Sequence, residues 1–223
     1  MSVESLKSEF SRFLLEIGAV KFGSFKLKSG RLSPYFVNLG VVGEGESIWR
    51  LGEFYARALV EFGLVSEVDV LFGPSYKGIP IVVSTSIGLH KIFNISKRFA
   101  FNRKEAKDHG EGGLIIGSVG EGDKIGILDD VMTTGKTKEE ILSVLSSIGN
   151  VKIAFVLIAV DRLERGETDY MATVEFHRRY GIPVKSIVDV LDVAKAALES
   201  GSITMKEMEA ISNYLKIYGG KTH

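Results

Sequence analysis

The chain has 223 residues, room for one large domain or a core with a modest lobe, and its 45% hydrophobic content excludes a disordered polymer. Lys plus Arg equals Asp plus Glu at 28 each, so no overall charge draws it to nucleic acid or a membrane, and anion recognition must be local. The absence of cysteine excludes disulfides, thiolate metal sites and a cysteine nucleophile. Leu6, Phe10, Phe13, Leu14 and Ile17 recur at helical spacing and predict an amphipathic opening helix. Glu4, Lys7 and Glu9 interrupt it, unlike a secretory signal, so a cytoplasmic protein is expected. Residues 22–40, FGSFKLKSGRLSPYFVNLG, alternate apolar and polar around Ser29-Gly30 as a β-hairpin. ESIWRLGEFYARALVEFG returns to helical period and stops at Gly63. Strand, loop and helix then repeat. VDVLF leads into GPSYKGIP and a helix, KRFAFN into a long polar loop, and KIGILDD into VMTTGKT and a helix. VKIAFVLIAV leads into DRLERG, VKSIVDV completes the strands, and two helical segments close the chain. The longest apolar run, Ile153 to Val160, is too short to cross a bilayer and reads as a buried strand.

Short β-branched runs alternating with helices predict an α/β fold with a mainly parallel central sheet flanked by helices. No linker or repeat divides residues 1–223, so one domain is expected, with the sheet core near 66–190. The N-terminal helix and hairpin, about residues 1–45, would form a small hood over the strand ends. Ligands of such sheets bind beyond the carboxyl ends of the strands, where the glycine-bearing polar stretches fall. His90 and His177 lie in helical patterns without partners at metal spacing, and Trp49 reads as core or interface.

The stretch ILDDVMTTGKT, residues 127–137, sets two acids before a small-residue loop and a helix. A nucleotide-triphosphate P-loop needs glycine seven residues before its final Ser/Thr, and Asp130 stands there, so that motif fails. Backbone N–H groups of Thr133, Thr134, Gly135, Lys136 and Thr137 can instead cradle one phosphate at the helix start, with threonine hydroxyls as further donors. Asp129 and Asp130 would then meet hydrogen-bond donors. A ribose 5-phosphate offers both: its phosphate to the loop, its 2′ and 3′ hydroxyls to the acids.

This stretch resembles the phosphoribosyl pyrophosphate signature of type I phosphoribosyltransferases. FNRKEAKDHGEGG (101–113), FKLKSGRLSPYF (25–36), FGPSYKGIPI (72–81) and DRLERG (161–166) resemble, in order, further segments of orotate phosphoribosyltransferases. The resemblance implies that 5-phosphoribosyl 1-pyrophosphate (PRPP) meets Lys28, Tyr76, Lys77, Arg103, Lys104, Lys107, His109, Asp129 and Asp130, together with the loop from Val131 and Met132 through Thr133 to Thr137. It places orotate against Lys28, Phe36, Val37, Thr133 and Arg162, although the family commonly carries a second aromatic where Val37 stands. Lys107, Asp129 and Asp130 are the implied catalytic groups. Arg103 to His109 would form a lid whose cations settle on departing pyrophosphate, shared across a homodimer. Mg2+ is the implied cofactor, carried by the substrate with no direct protein ligand. The alternatives are a purine phosphoribosyltransferase, which would lack the lid and hairpin motifs, and a non-catalytic PRPP sensor, which would not need the lid cations.

Overall fold

The computed structural model describes residues 2–27, 30–107, 113–133, 136–146 and 148–222. In chain order the elements begin with α1 (Val3–Glu16), β1 (Val20–Lys26), β2 (Leu32–Val37), α2 (Gly45–Glu61), β3 (Val70–Gly73) and α3 (Gly78–Phe93). Next come β4 (Arg98–Lys107), β5 (Gly113–Gly117), β6 (Lys124–Val131), α4 (Lys136–Ser146) and β7 (Lys152–Asp161). The chain ends with α5 (Ala172–Tyr180), β8 (Val184–Asp189), α6 (Val190–Glu199) and α7 (Met205–Tyr218).

The central sheet has six strands in the order β5-β4-β3-β6-β7-β8. All its pairings are parallel except β4 with β5. From β3 the chain steps outward to β4 and β5, then returns to the opposite flank of β3 for β6. The carboxyl ends of β3 and β6 therefore border a topological switch point, where this class of sheet opens a crevice.

Alternate strand residues face opposite layers. Leu71, Leu128, Leu157 and Ala159 share one core with Phe10, Leu59, Val82 and Val193 of α1, α2, α3 and α6. Val70, Ile127, Val156 and Ile158 share the other with Ile141 and Leu145 of α4 and Phe176 of α5. Burial on both faces is why the middles of β6 and β7 read as unbroken apolar runs. On the first face α2 and α3 approach so closely that a Cβ on Gly52 would collide with the Ser84 backbone.

Ser2 caps α1 by accepting from Ser5 N at 3.3 Å, and the helix buries Leu6, Phe10, Phe13 and Leu14, the stripe its spacing predicts. The rings of Phe10 and Phe13 meet that of Phe54 at centroid separations of 5.0 and 5.2 Å. The helix thus packs within a helical layer beside α2 and α6. β1 and β2 form a separate antiparallel pair, closed by Leu27 N donating to Arg31 O at 2.8 Å. Tyr35 ties the pair to the segment after β7 by donating to Arg162 O at 2.8 Å. A departure from the sequence reading lies in β4. The loop expected after Asn102 is a strand to Lys107, pairing antiparallel with β5 across a register shift. NRKEAK carries no strand pattern of its own; the partner strand supplies the order. Among the described residues no helix is long and apolar enough to cross a membrane.

Candidate active site at the switch point

β6 delivers Asp129 and Asp130 to the crevice, where they are only 6% and 7% exposed. Each carboxylate is held by a backbone amide and a lysine. Asp129 Oδ1 accepts from Asp130 N at 2.9 Å, and its Oδ2 accepts from Lys138 Nζ in the first turn of α4. Asp130 Oδ1 accepts from Val131 N at 2.9 Å, and its Oδ2 from Lys77 Nζ at 2.6 Å. The Tyr55 hydroxyl of α2 donates to the Asp129 carbonyl at 2.6 Å, locking the strand end from behind. Burial pushes the Asp129 carboxyl above the usual carboxylate range, opposed by Lys138 and reinforced by the neighbouring Asp130 charge.

Lys77 comes from the turn that joins β3 to α3. A Cβ on Gly73 would strike the Gly78 carbonyl, so glycine permits this tight strand-to-helix passage. Asn102 of β4 supports the turn from the side. Its Oδ1 accepts from Ser75 N at 2.9 Å, and its Nδ2 donates to Ser75 Oγ at 3.1 Å. Tyr76 is exposed, and Lys104 Nζ lies 4.8 Å from the centre of its ring. Two cations, Lys77 and Lys104, therefore flank this turn.

A cleft of about 630 Å³ opens between the hairpin, the end of β6 and the segment after β7. Phe36, Val37, Val131, Met132, Thr133 and Arg162 all line it. The volume suits a small planar ligand with a sugar attached. Phe36 stacks on Phe25 with centroids 5.6 Å apart and remains partly exposed. Arg162 is 8% exposed and donates from one terminal nitrogen to Glu164 Oε1 at 2.6 Å, while its guanidinium lies 4.9 Å from the Tyr35 ring centre. Glu164 also pairs with Arg31, so two guanidiniums share one carboxylate and the wall keeps positive charge.

The structure brings the orotate-side candidates Phe36, Val37, Thr133 and Arg162 onto one cleft, and sets Asp129, Asp130 and Lys77 in one ion-paired group. Arg103 lies on β4 beside Lys104. Lys28, His109, Thr134 and Gly135 lie outside the described residues, as do the side chains of Lys107, Lys136 and Thr137. The motif residues did not reveal Lys138, Asn102, Tyr55 or Glu164 as partners. Glu164 and Asn102 sit inside the quoted segments and were visible there, whereas nothing local marks Lys138 or Tyr55. Among the described residues no group of three or more His, Asp or Glu side chains could hold a metal.

No protein-family model matches the chain. The orotate phosphoribosyltransferase of Vibrio parahaemolyticus is 44% identical over 217 residues, covering 97% of this chain and 100% of that protein. That of Clostridium beijerinckii is 40% identical over 225 residues, covering 98% of this chain and 100% of its own length. The crystal structure of orotate phosphoribosyltransferase from Francisella tularensis superposes with a TM-score of 0.84 at 33% identity, covering 95% of this chain and 100% of that one.

Proposed function

The chain belongs to the orotate phosphoribosyltransferase family, and from that premise we propose how its own residues carry out the reaction. It joins orotate to PRPP, giving orotidine 5′-monophosphate and pyrophosphate in pyrimidine biosynthesis. Full-length relatives at 40% and 44% identity favour this over the purine and sensor alternatives.

The observation that carries the site assignment is the Lys77–Asp130 pair beside the Arg162 cleft. Without substrate, Lys77 and Asp130 satisfy each other. A diphosphate offers Lys77 a stronger partner, which frees Asp130 Oδ2 for a ribose hydroxyl at the same moment. Asp129 takes the other hydroxyl with the lone pairs that Asp130 N and Lys138 leave open. The 5′-phosphate sits on the loop from Thr133 to Thr137 at the start of α4. Thr133 lines the base cleft as well, so the loop joins the two substrates. The shared positive charge of Arg31 and Arg162 receives the orotate carboxylate, in bonds worth roughly 1.5–3 kcal/mol each.

Orotate N1 then gives up its proton to solvent and forms its bond to C1′ with inversion, as the C1′–O bond breaks and its electron pair leaves with pyrophosphate. The two acids favour positive charge developing on the ribose. Lys77, Arg103, Lys104, Lys107 and His109 stabilise the leaving group, whose charge is largest in the transition state. Mg2+ supplies charge neutralisation of the diphosphate when bound with it. The acids present suit that arrangement, since each is held by a backbone amide and turned to a ribose hydroxyl rather than gathered as a metal cage. Residues 1–223 act as one domain in the cytoplasm, and two copies form a homodimer in which each lid serves the neighbouring site. Partly exposed Trp49, Ile87 and Ile92 on α2 and α3 support an interface there. Loss of orotate absorbance on adding PRPP and Mg2+ tests the reaction, and an unchanged spectrum would reject it.

A further inference from the structure

Lys138 is buried to 4% exposure, and no other lysine whose side chain is described is buried. It also stands in the first turn of α4, where the helix dipole disfavours a cation. Two costs are thus concentrated on one side chain. Only its partners offset them: Asp129 Oδ2 and the Val131 carbonyl, the latter at 2.8 Å. Both lie before the phosphate loop, while Lys138 itself lies just after it. One ammonium therefore bridges the two ends of the loop.

We propose that Lys138 is a positioning residue for phosphoribosyl transfer, tying Asp129 and the Val131 carbonyl to α4 so that the acid stays charged and aimed at the ribose. This rests on the reading of Asp129 as a ribose-facing acid. Around Asp129 the charged and titratable groups are Asp130 on the same strand, Tyr55 from α2, Lys138 from α4 and, beyond Asp130, Lys77. Lys77 pairs with Asp130 without substrate and turns to the diphosphate when it binds, so in neither state does it contact Asp129. Burial and Asp130 both favour the protonated form of Asp129, so Lys138 is the cation in direct contact that opposes them. Without it, the acid would accept a proton and turn one oxygen from acceptor to donor. The diol would then lose a partner and the loop a tether.

The test compares Lys138→Met, Lys138→Gln and Lys138→Arg with the parent enzyme across pH, both substrates being varied. Met removes the charge at similar length, and Gln keeps a donor for the Val131 carbonyl without charge. In both, the acid limb of kcat/KM for PRPP should move upward by roughly one pH unit or more, because an adjacent opposite charge lowers a carboxyl pKa by that much. KM for PRPP at neutral pH should rise roughly tenfold through the loosened geometry, with KM for orotate changed less than about twofold. Lys138→Arg should restore the parental acid limb. An acid limb unmoved in the uncharged variants, or moved equally in Lys138→Arg, would overturn the proposal. So would failure of both uncharged variants to fold while Lys138→Arg folds, since Lys138 would then be a structural ion-pair partner alone. Asp129→Asn tests the underlying assignment separately: a parental KM for PRPP there would remove Asp129 from the ribose site, and the proposal with it.

Discussion

Glu164 accepts hydrogen bonds from four side chains, and that crowding governs what Arg162 can offer a substrate. Arg162, Tyr35 and Tyr214 reach its Oε1, at 2.6, 2.9 and 3.1 Å, and Arg31 reaches its Oε2. One carboxylate cannot neutralise two guanidiniums, so the cleft wall is short of one negative charge, which the proposed reading has the orotate carboxylate supply. Arg162→Ala should raise KM for orotate at least about tenfold, the loss of one charge-assisted bond, and KM for PRPP less than about twofold. Steady-state kinetics with each substrate varied decide it, and equal changes in both constants would reduce Arg162 to a shaping residue. Asp161, one residue earlier, gives a pH dependence of stability. Burial lifts its carboxyl above the usual range, only partly offset by hydrogen bonds from Leu163 N at 2.8 Å and Thr173 Oγ1 at 2.9 Å. A carboxyl raised in the fold adds stability that is full below its unfolded pKa of about 3.9, and that stability is lost as pH rises through the folded value. Asp161→Asn removes the term, so the variant should be more stable relative to the parent at about pH 7 than at about pH 4. Urea unfolding at the two pH values measures it; a constant difference would show that the group does not titrate differently in the fold.

At the scale of elements, the turn between β3 and α3 is positioned by a strand it does not follow. Asn102 on β4 grips both the amide and the hydroxyl of Ser75, two residues before Lys77. Asn102→Ala should lower kcat/KM for PRPP roughly tenfold or more, because small displacements of a charge-bearing group cost heavily in rate. KM for orotate should stay near the parental value, and a parental kcat/KM for PRPP would show the turn holds itself. The same elements show what a sequence can disclose. The β6–loop–α4 unit was legible because a strand buried on both faces must be apolar, which makes two terminal acids conspicuous. The hairpin was legible through its alternation. β5 and the outer half of β4 were not, since a short apolar run and a polar one acquire strand character only from each other. Lys138 was hidden for a related reason: in KTKEE a lysine reads as solvated, and only the packing of α4 against β6 buries it. Tyr214 lies 50 residues from Glu164, and no local pattern links them.

For the whole molecule, equal numbers of acidic and basic residues leave little net field to capture a polyanion, so the cations proposed to receive pyrophosphate must converge by geometry. Lys77 and Lys104 are already at the β3 turn, and Arg103 and Lys107 belong to the same strand as Lys104. Such a polar arm has little apolar surface with which to pack on its own subunit, and a two-fold dimer would set each arm against its neighbour's strand ends. Mixing two inactive variants tests this. One carries Lys107→Ala, whose kcat should fall ~10²–10³-fold with the loss of a transition-state contact. The other carries Asp130→Asn, chosen because its partner Lys77 is 46% exposed and stays solvated, whereas Asp129→Asn would strand the buried Lys138. If lids act in trans, each hybrid dimer holds one site with both defects and one intact site. Random exchange makes about half the dimers hybrid, so activity should return to about a quarter of the parental value. If lids act within their own subunit, every site keeps a defect and no activity returns. Verified hybrids that stay inactive would refute the shared site while leaving the roles of Lys107 and Asp130 untouched.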